Sequence, residues 1–264
     1  MRLLIHHIIG AAILLICQAC EPHNPPPAPP LVAPFSVAPD QQVVFAHGNL
    51  QHHPLSNTYR FAAQQTDYIG VTNKFFSSTY DGWVDLFTWG NTLPTNNTHH
   101  DPTTFHDWGT LSIAEDTLHT WRTLTSNEWQ YLCCARPQAD QLIAVASIEG
   151  INGLLLFPDQ WTAPEGIDLK LGFATHSGQQ AYAQWQTLTS KQWNQLQKTG
   201  AVFLPAAGLR IDSGVYMLQF DGYYWTASPY NDHYALCLNF EANQLTIDAN
   251  SRHYGMAVRL VRDY

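Results

Sequence analysis

Two short stretches near the C-terminus gather side chains suited to holding a polar ligand. Tyr230, Asn231, Asp232, His233 and Tyr234 set two phenols, an amide, a carboxylate and an imidazole side by side. Asn250, Ser251, Arg252, His253 and Tyr254 repeat the mixture with a guanidinium added. Phenols pair an apolar face with a polar edge and amides both donate and accept, so such a set stacks on and hydrogen-bonds to sugars or peptides. Ordinary solvated loops of an aromatic-rich chain have the same composition, and that reading stands beside the binding one.

Other groups offer weaker chemistry. His99, His100, Asp101, His106 and Asp107 carry donors that suit a zinc-like ion. They lack a rigid ligand spacing, however, and adjacent His99 and His100 normally point apart. Asn231, Asp232, Asp248 and Asn250 supply oxygens for calcium, but no Glu-Pro-Asn motif accompanies them. There is no Gly-x-Ser-x-Gly, phosphate loop or dinucleotide fingerprint, and nothing in the spacing brings a nucleophile to a base. The expectation is a binding protein without a metal, a cofactor or catalysis.

The elements that must position these loops read mainly as strands. Val43 to Ala46 and Thr58 to Phe61 read as a hairpin joined by the polar segment Gln51 to Asn57. Gly153 to Phe157 and Ala201 to Leu204 read as buried strands, each ending at a proline. After Arg210, strands are expected over Gly214–Phe220, Tyr223–Ala227, Tyr234–Phe240, Gln244–Ile247 and Met256–Arg262, with Asp221-Gly222 as a hairpin turn. Trp225, in an alternating strand, is read as core.

Two segments share a pattern, Trp121 to Trp129 (WRTLTSNEW) and Trp185 to Trp193 (WQTLTSKQW). In each, Thr125 or Thr189, or the adjacent serine, is placed to cap a helix, with Glu128 or Gln192 closing a capping box. Two short amphipathic helices follow, buried through Trp129 and Leu132 and through Trp193 and Leu196. They are expected to be equivalent helices packed on one sheet. With the strands they make an α+β fold.

Composition narrows the partners. The 264 residues are 45% hydrophobic but only 12% charged, and 12 Lys+Arg against 21 Asp+Glu give a net charge of −9. That balance removes the attraction on which most nucleic-acid binding depends. Residues 1–20 have the layout of a secretory signal peptide, and Ala19-Cys20-Glu21 ahead of a proline-rich stretch fits lipidation of Cys20, with plain secretion as the alternative. Residues 21–39 read as an extended spacer and 40–264 as the folded domain, apolar alternation beginning at Phe35. In an oxidising compartment Cys237 would pair with Cys133 or Cys134, or all three remain buried thiols.

Several segments carry a resemblance: Tyr59-Arg60-Phe61, Tyr80-Asp81-Gly82-Trp83, Trp121 to Thr125, Phe203 to Gly208, Gly222 to Ser228 and Val258-Arg259-Leu260-Val261. The chain resembles a family of Bacteroidetes surface lipoproteins, and its C-terminal pattern is similar to the Fibrobacter-type major paralogous domain. The resemblance implies a C-type lectin-like mixed fold, shared with formylglycine-generating enzymes, with a small twisted antiparallel sheet bracing ligand-facing loops. The corresponding positions here are Ser228 to Tyr234 and Asn250 to Tyr254. The resemblance says little about the ligand; taken with the aromatic and polar loops, the expectation is a lipoprotein anchored in the outer membrane that binds a glycan or surface protein, with a structural subunit or adhesin as the alternative.

Overall fold

The computed structural model describes residues 33–91, 104–173 and 184–264. The expected signal peptide, Cys20, most of the spacer, and His99, His100 and Asp101 lie outside the described residues.

The chain forms a mixed α+β fold. Strands β1 (Phe35–Ala38), β2 (Gln41–Phe45), β3 (Leu50–His53) and β4 (Thr58–Phe61) lead to a short helix α1 (Ser126–Gln130), which runs on as a π turn over Tyr131–Ala135. Then come β5 (Ile143–Ile148), β6 (Ile151–Leu156), β7 (Gln186–Leu188), α2 (Ser190–Lys198), β8 (Val202–Pro205), β9 (Leu209–Ile211), β10 (Gly214–Tyr216), β11 (Gly222–Pro229), β12 (Tyr234–Phe240), β13 (Leu245–Ser251) and β14 (Val261–Asp263). No described helix is long and apolar enough to cross a membrane.

Two sheets separate three apolar layers. In the four-stranded sheet β7-β5-β6-β8, Val145, Leu154, Leu156, Val202 and Leu204 face one core, while Ala146, Ile148, Leu155 and Phe203 face another. Burial on both faces explains why these strands read as unbroken apolar runs. The three-stranded sheet β11-β12-β13 divides the first core from a third: Tyr224, Leu238 and Phe240 point one way, Trp225, Ala235 and Cys237 the other.

Both capping boxes form. Thr125 accepts from the Glu128 N–H at 3.2 Å while Glu128 accepts from the Thr125 N–H at 2.7 Å, and Thr189 and Gln192 repeat the exchange. The helices do not share one sheet, though. Trp129 packs in the core beside β11 and β12, whereas Trp193 and Leu196 pack on the far side of the four-stranded sheet.

Four local expectations are corrected. The strand at Val43–Phe45 does not pair with Thr58–Phe61: β2 pairs with β1 and β14, and β4 pairs with β3, in which Gln51 and His52 are buried strand residues and not loop. Strand β5, absent from the sequence reading, precedes β6. Asp221-Gly222 is not a hairpin turn: Gly222 begins β11 opposite Phe240, and the chain reverses at Met217–Phe220 with positive φ at Met217 and Gln219. The first strand starts at Phe35, inside the stretch read as spacer, and buries that ring completely. The three described cysteines are free thiols, with Cys133 and Cys237 in separate cores and Cys134 exposed.

Candidate functional site

The two candidate stretches meet at one end of the three-stranded sheet. Strand register places Tyr234 opposite Ser251 and Ala235 opposite Asn250, so the β11–β12 tip and the end of β13 are neighbours. The tip is tightly closed. The Tyr230 and Asn231 N–H groups both donate to the Tyr234 carbonyl, and Asn231 Oδ1 accepts from the His233 and Tyr234 N–H groups at 2.9 and 3.0 Å. This is an Asx-type turn, in which the amide side chain takes the place of backbone.

Arg252 ties the tip to the core. Its guanidinium donates to the carbonyls of Asn231 and Tyr234 and lies over the Trp89 ring, and its backbone N–H donates to the His233 carbonyl. Only 4% of Arg252 is exposed. The expectation that it contacts ligand is therefore replaced by a bracing role. Trp89 itself is fixed by its indole N–H on the Thr226 carbonyl at 2.8 Å. Nothing in the local sequence around Trp89 signals this role, because its partners lie far along the chain.

The remaining candidates divide by exposure. Tyr230, Asn231, Asp232, His233 and Tyr234 are all exposed, with Tyr230 at 64% and Tyr234 at 45%. Asn250 is half-buried and donates to the Cys237 sulfur at 3.2 Å. Tyr254 packs against the core, and His253 keeps a buried Nδ1 without a hydrogen-bond partner. The surface open to a ligand is thus the 230–234 tip, supported by 250–254. Trp225 is core as expected, its indole donating to the Phe87 carbonyl.

Of the histidine-rich loop, Asp107 is committed to structure: it caps a 3-10 turn through Gly109 N–H and accepts from the backbone and hydroxyl of Thr123. No cluster of His, Cys, Asp and Glu with metal-binding geometry occurs among the described residues.

A hydroxyl, an imidazole and a carboxylate do line up elsewhere, contrary to the reading that nothing places them together. His53 Nδ1 lies 3.0 Å from Ser56 Oγ and its Nε2 lies 3.3 Å from Asp81. Nδ1 also accepts the Ser56 N–H at 3.4 Å, so the imidazole closes the β3–β4 turn. Asp81 is 81% exposed, which leaves water competing for the same imidazole N–H.

Two buried charges shape the electrostatics away from the tip. Burial pushes the Asp85 carboxyl up to about 6 despite hydrogen bonds from Asn73 and the Ile69 N–H. Burial pulls the Arg259 guanidinium down to about 10, where it donates to the carbonyls of Ala46 and Phe203. Both hold backbone and loop segments together inside the fold.

Comparison of the chain with known protein families, with curated proteins and with solved structures finds no match.

Proposed function

We propose that the chain is an exported, lipid-anchored surface protein that binds a glycan or a protein through the 230–234 tip, without doing chemistry on it. The observation that carries this reading is the Arg252 brace. An Asx turn and a buried guanidinium fix a loop whose two tyrosines stay exposed, so little conformational entropy is left to lose on binding. The finer fold assignment, C-type lectin-like, belongs to the same proposal, as do Cys20 as the lipidated residue and the outer membrane as the site of anchoring.

Neutral stacking and hydrogen bonding would dominate, so capture should weaken little as salt is raised. A glycan-array screen of the purified chain, followed by pull-down from cell surfaces, tests the reading. Specific capture insensitive to salt supports it; capture abolished by modest salt contradicts it.

A structural or adhesive role has one observation in its favour. Phe220, Tyr216 and Met217 are 70%, 52% and 48% exposed around a turn pinned by Asn152, which bonds both the side chain and the carbonyl of Gln219. A rigid apolar knob of this kind suits a protein partner.

A further inference from the structure

A concavity of about 470 Å³ lies where β1 and β2 meet the turn after β6 and the end of α2. Its size falls within the range of roughly 300–1,000 Å³ usual for small-molecule sites. Gln42, Pro158, Gln160, Trp161, Thr162 and Tyr264 form much of its wall.

The wall is built from fixed parts. Pro158 follows β6, and the Trp161 backbone N–H donates back to the Pro158 carbonyl at 3.0 Å, turning the indole into the concavity's lining. The indole is stacked on Phe157, centroids 3.9 Å apart and planes 21° from parallel. Its N–H is taken by Thr199 at 3.0 Å, at the C-terminal end of α2.

Asp159 fixes the opposite side. Its two oxygens accept from the Ser36 N–H and hydroxyl, the Gln42 amide and Arg136. Burial works to raise this carboxyl, and the Ser36, Gln42 and Arg136 hydrogen bonds outweigh it, holding it below the ordinary carboxylate range. With four donors Asp159 has its lone pairs filled, so it acts as a brace that orients the Gln42 amide. No Lys or Arg side chain lines the concavity, which leaves an anionic ligand without a counter-charge.

We infer that this concavity binds a small neutral saccharide, its apolar face against Trp161 and Tyr264 and its hydroxyls on Gln42, Gln160 and Thr162. An aromatic wall with neutral amides and hydroxyls and no cation matches that chemistry and disfavours phosphates and sialylated sugars.

The test follows the Trp161 indole signal in a proton–nitrogen spectrum of the full chain, assigned with Trp161→Phe. Maltose, cellobiose and lactose serve as neutral probes, sialyllactose as an anionic one, and a peptide of residues 24–31 as a proline-rich one. A saturable shift with a neutral disaccharide is expected, weakened about three- to tenfold by Tyr264→Ala, as loss of an aromatic contact implies. Tyr264 is 68% exposed, so that variant keeps its fold. Tyr230→Ala/Tyr234→Ala should leave the response intact, which separates this site from the β11–β12 tip. No shift with any neutral sugar, or an equal response to sialyllactose or the peptide, overturns the assignment.

Discussion

The Arg252 guanidinium carbon lies 4.3 Å from the centre of the Trp89 ring, while the Trp89 backbone N–H donates to the Arg252 carbonyl at 3.0 Å. This double contact makes the end of β13 a rigid floor for the β11–β12 tip. Arg252→Ala removes charged hydrogen bonds and a cation–π contact together, and is expected to cost about 2–4 kcal/mol. Hydrogen exchange should speed up selectively at Tyr234 and Arg252. Unchanged exchange at these amides would show that the tip is held by its own turn alone.

The two capping boxes offer an internal control. Thr125→Ala and Thr189→Ala should each lower stability by about 1 kcal/mol. Their helices pack in different cores, so the double variant should be additive in urea unfolding, within about 0.5 kcal/mol. Clear non-additivity would mean that the two cores are coupled.

Asp85 gives a signed pH dependence. Its folded pKa of about 6 lies above the ordinary value of 3.8, so the folded state holds the proton more tightly across that window. Asp85 therefore contributes stability below about 3.8 that is lost as pH rises through about 6. The difference in urea midpoint between wild type and Asp85→Asn should move in favour of the variant over this range. Parallel curves would rule the titration out. His47 and His52, pushed down from 6.5 by burial, act oppositely and lose their contribution as pH falls; they are common to both proteins and cancel.

Thiol reactivity should follow burial. Burial raises the pKa of all three described thiols, Cys237 to about 12 and Cys133 further still, and Cys134 alone among them is exposed. Alkylation mapped by mass spectrometry should label Cys134 first, and the other two only after unfolding. Failure to label Cys237 in denaturant without reductant would reveal a disulfide.

What the sequence made legible was local. A capping box is contained within four residues, so Thr125–Glu128 and Thr189–Gln192 were readable, as was the burial of Trp225 from strand alternation. The non-local features were not. Gln51 and His52 look polar, yet His52 pairs with Val84 through backbone and stacks on Tyr59 at 4.3 Å. The turn at Met217–Phe220 uses positive φ at Met217 and Gln219, which carry no glycine signal, so Asp221-Gly222 looked like the better turn. Arg252 read as a surface ligand because the Trp89 ring that covers it is far away in sequence.

Tyr254 packs against the core, so its removal mixes binding with folding, whereas Tyr230 and Tyr234 project outward. The most direct measurement is therefore ligand capture on a glycan array and from cell-surface extract by wild type and by Tyr230→Ala/Tyr234→Ala, with thermal unfolding of both. The account predicts specific capture by wild type, lost in the variant at a nearly unchanged melting temperature. Capture that survives in the variant would contradict the assignment of the β11–β12 tip as the binding surface.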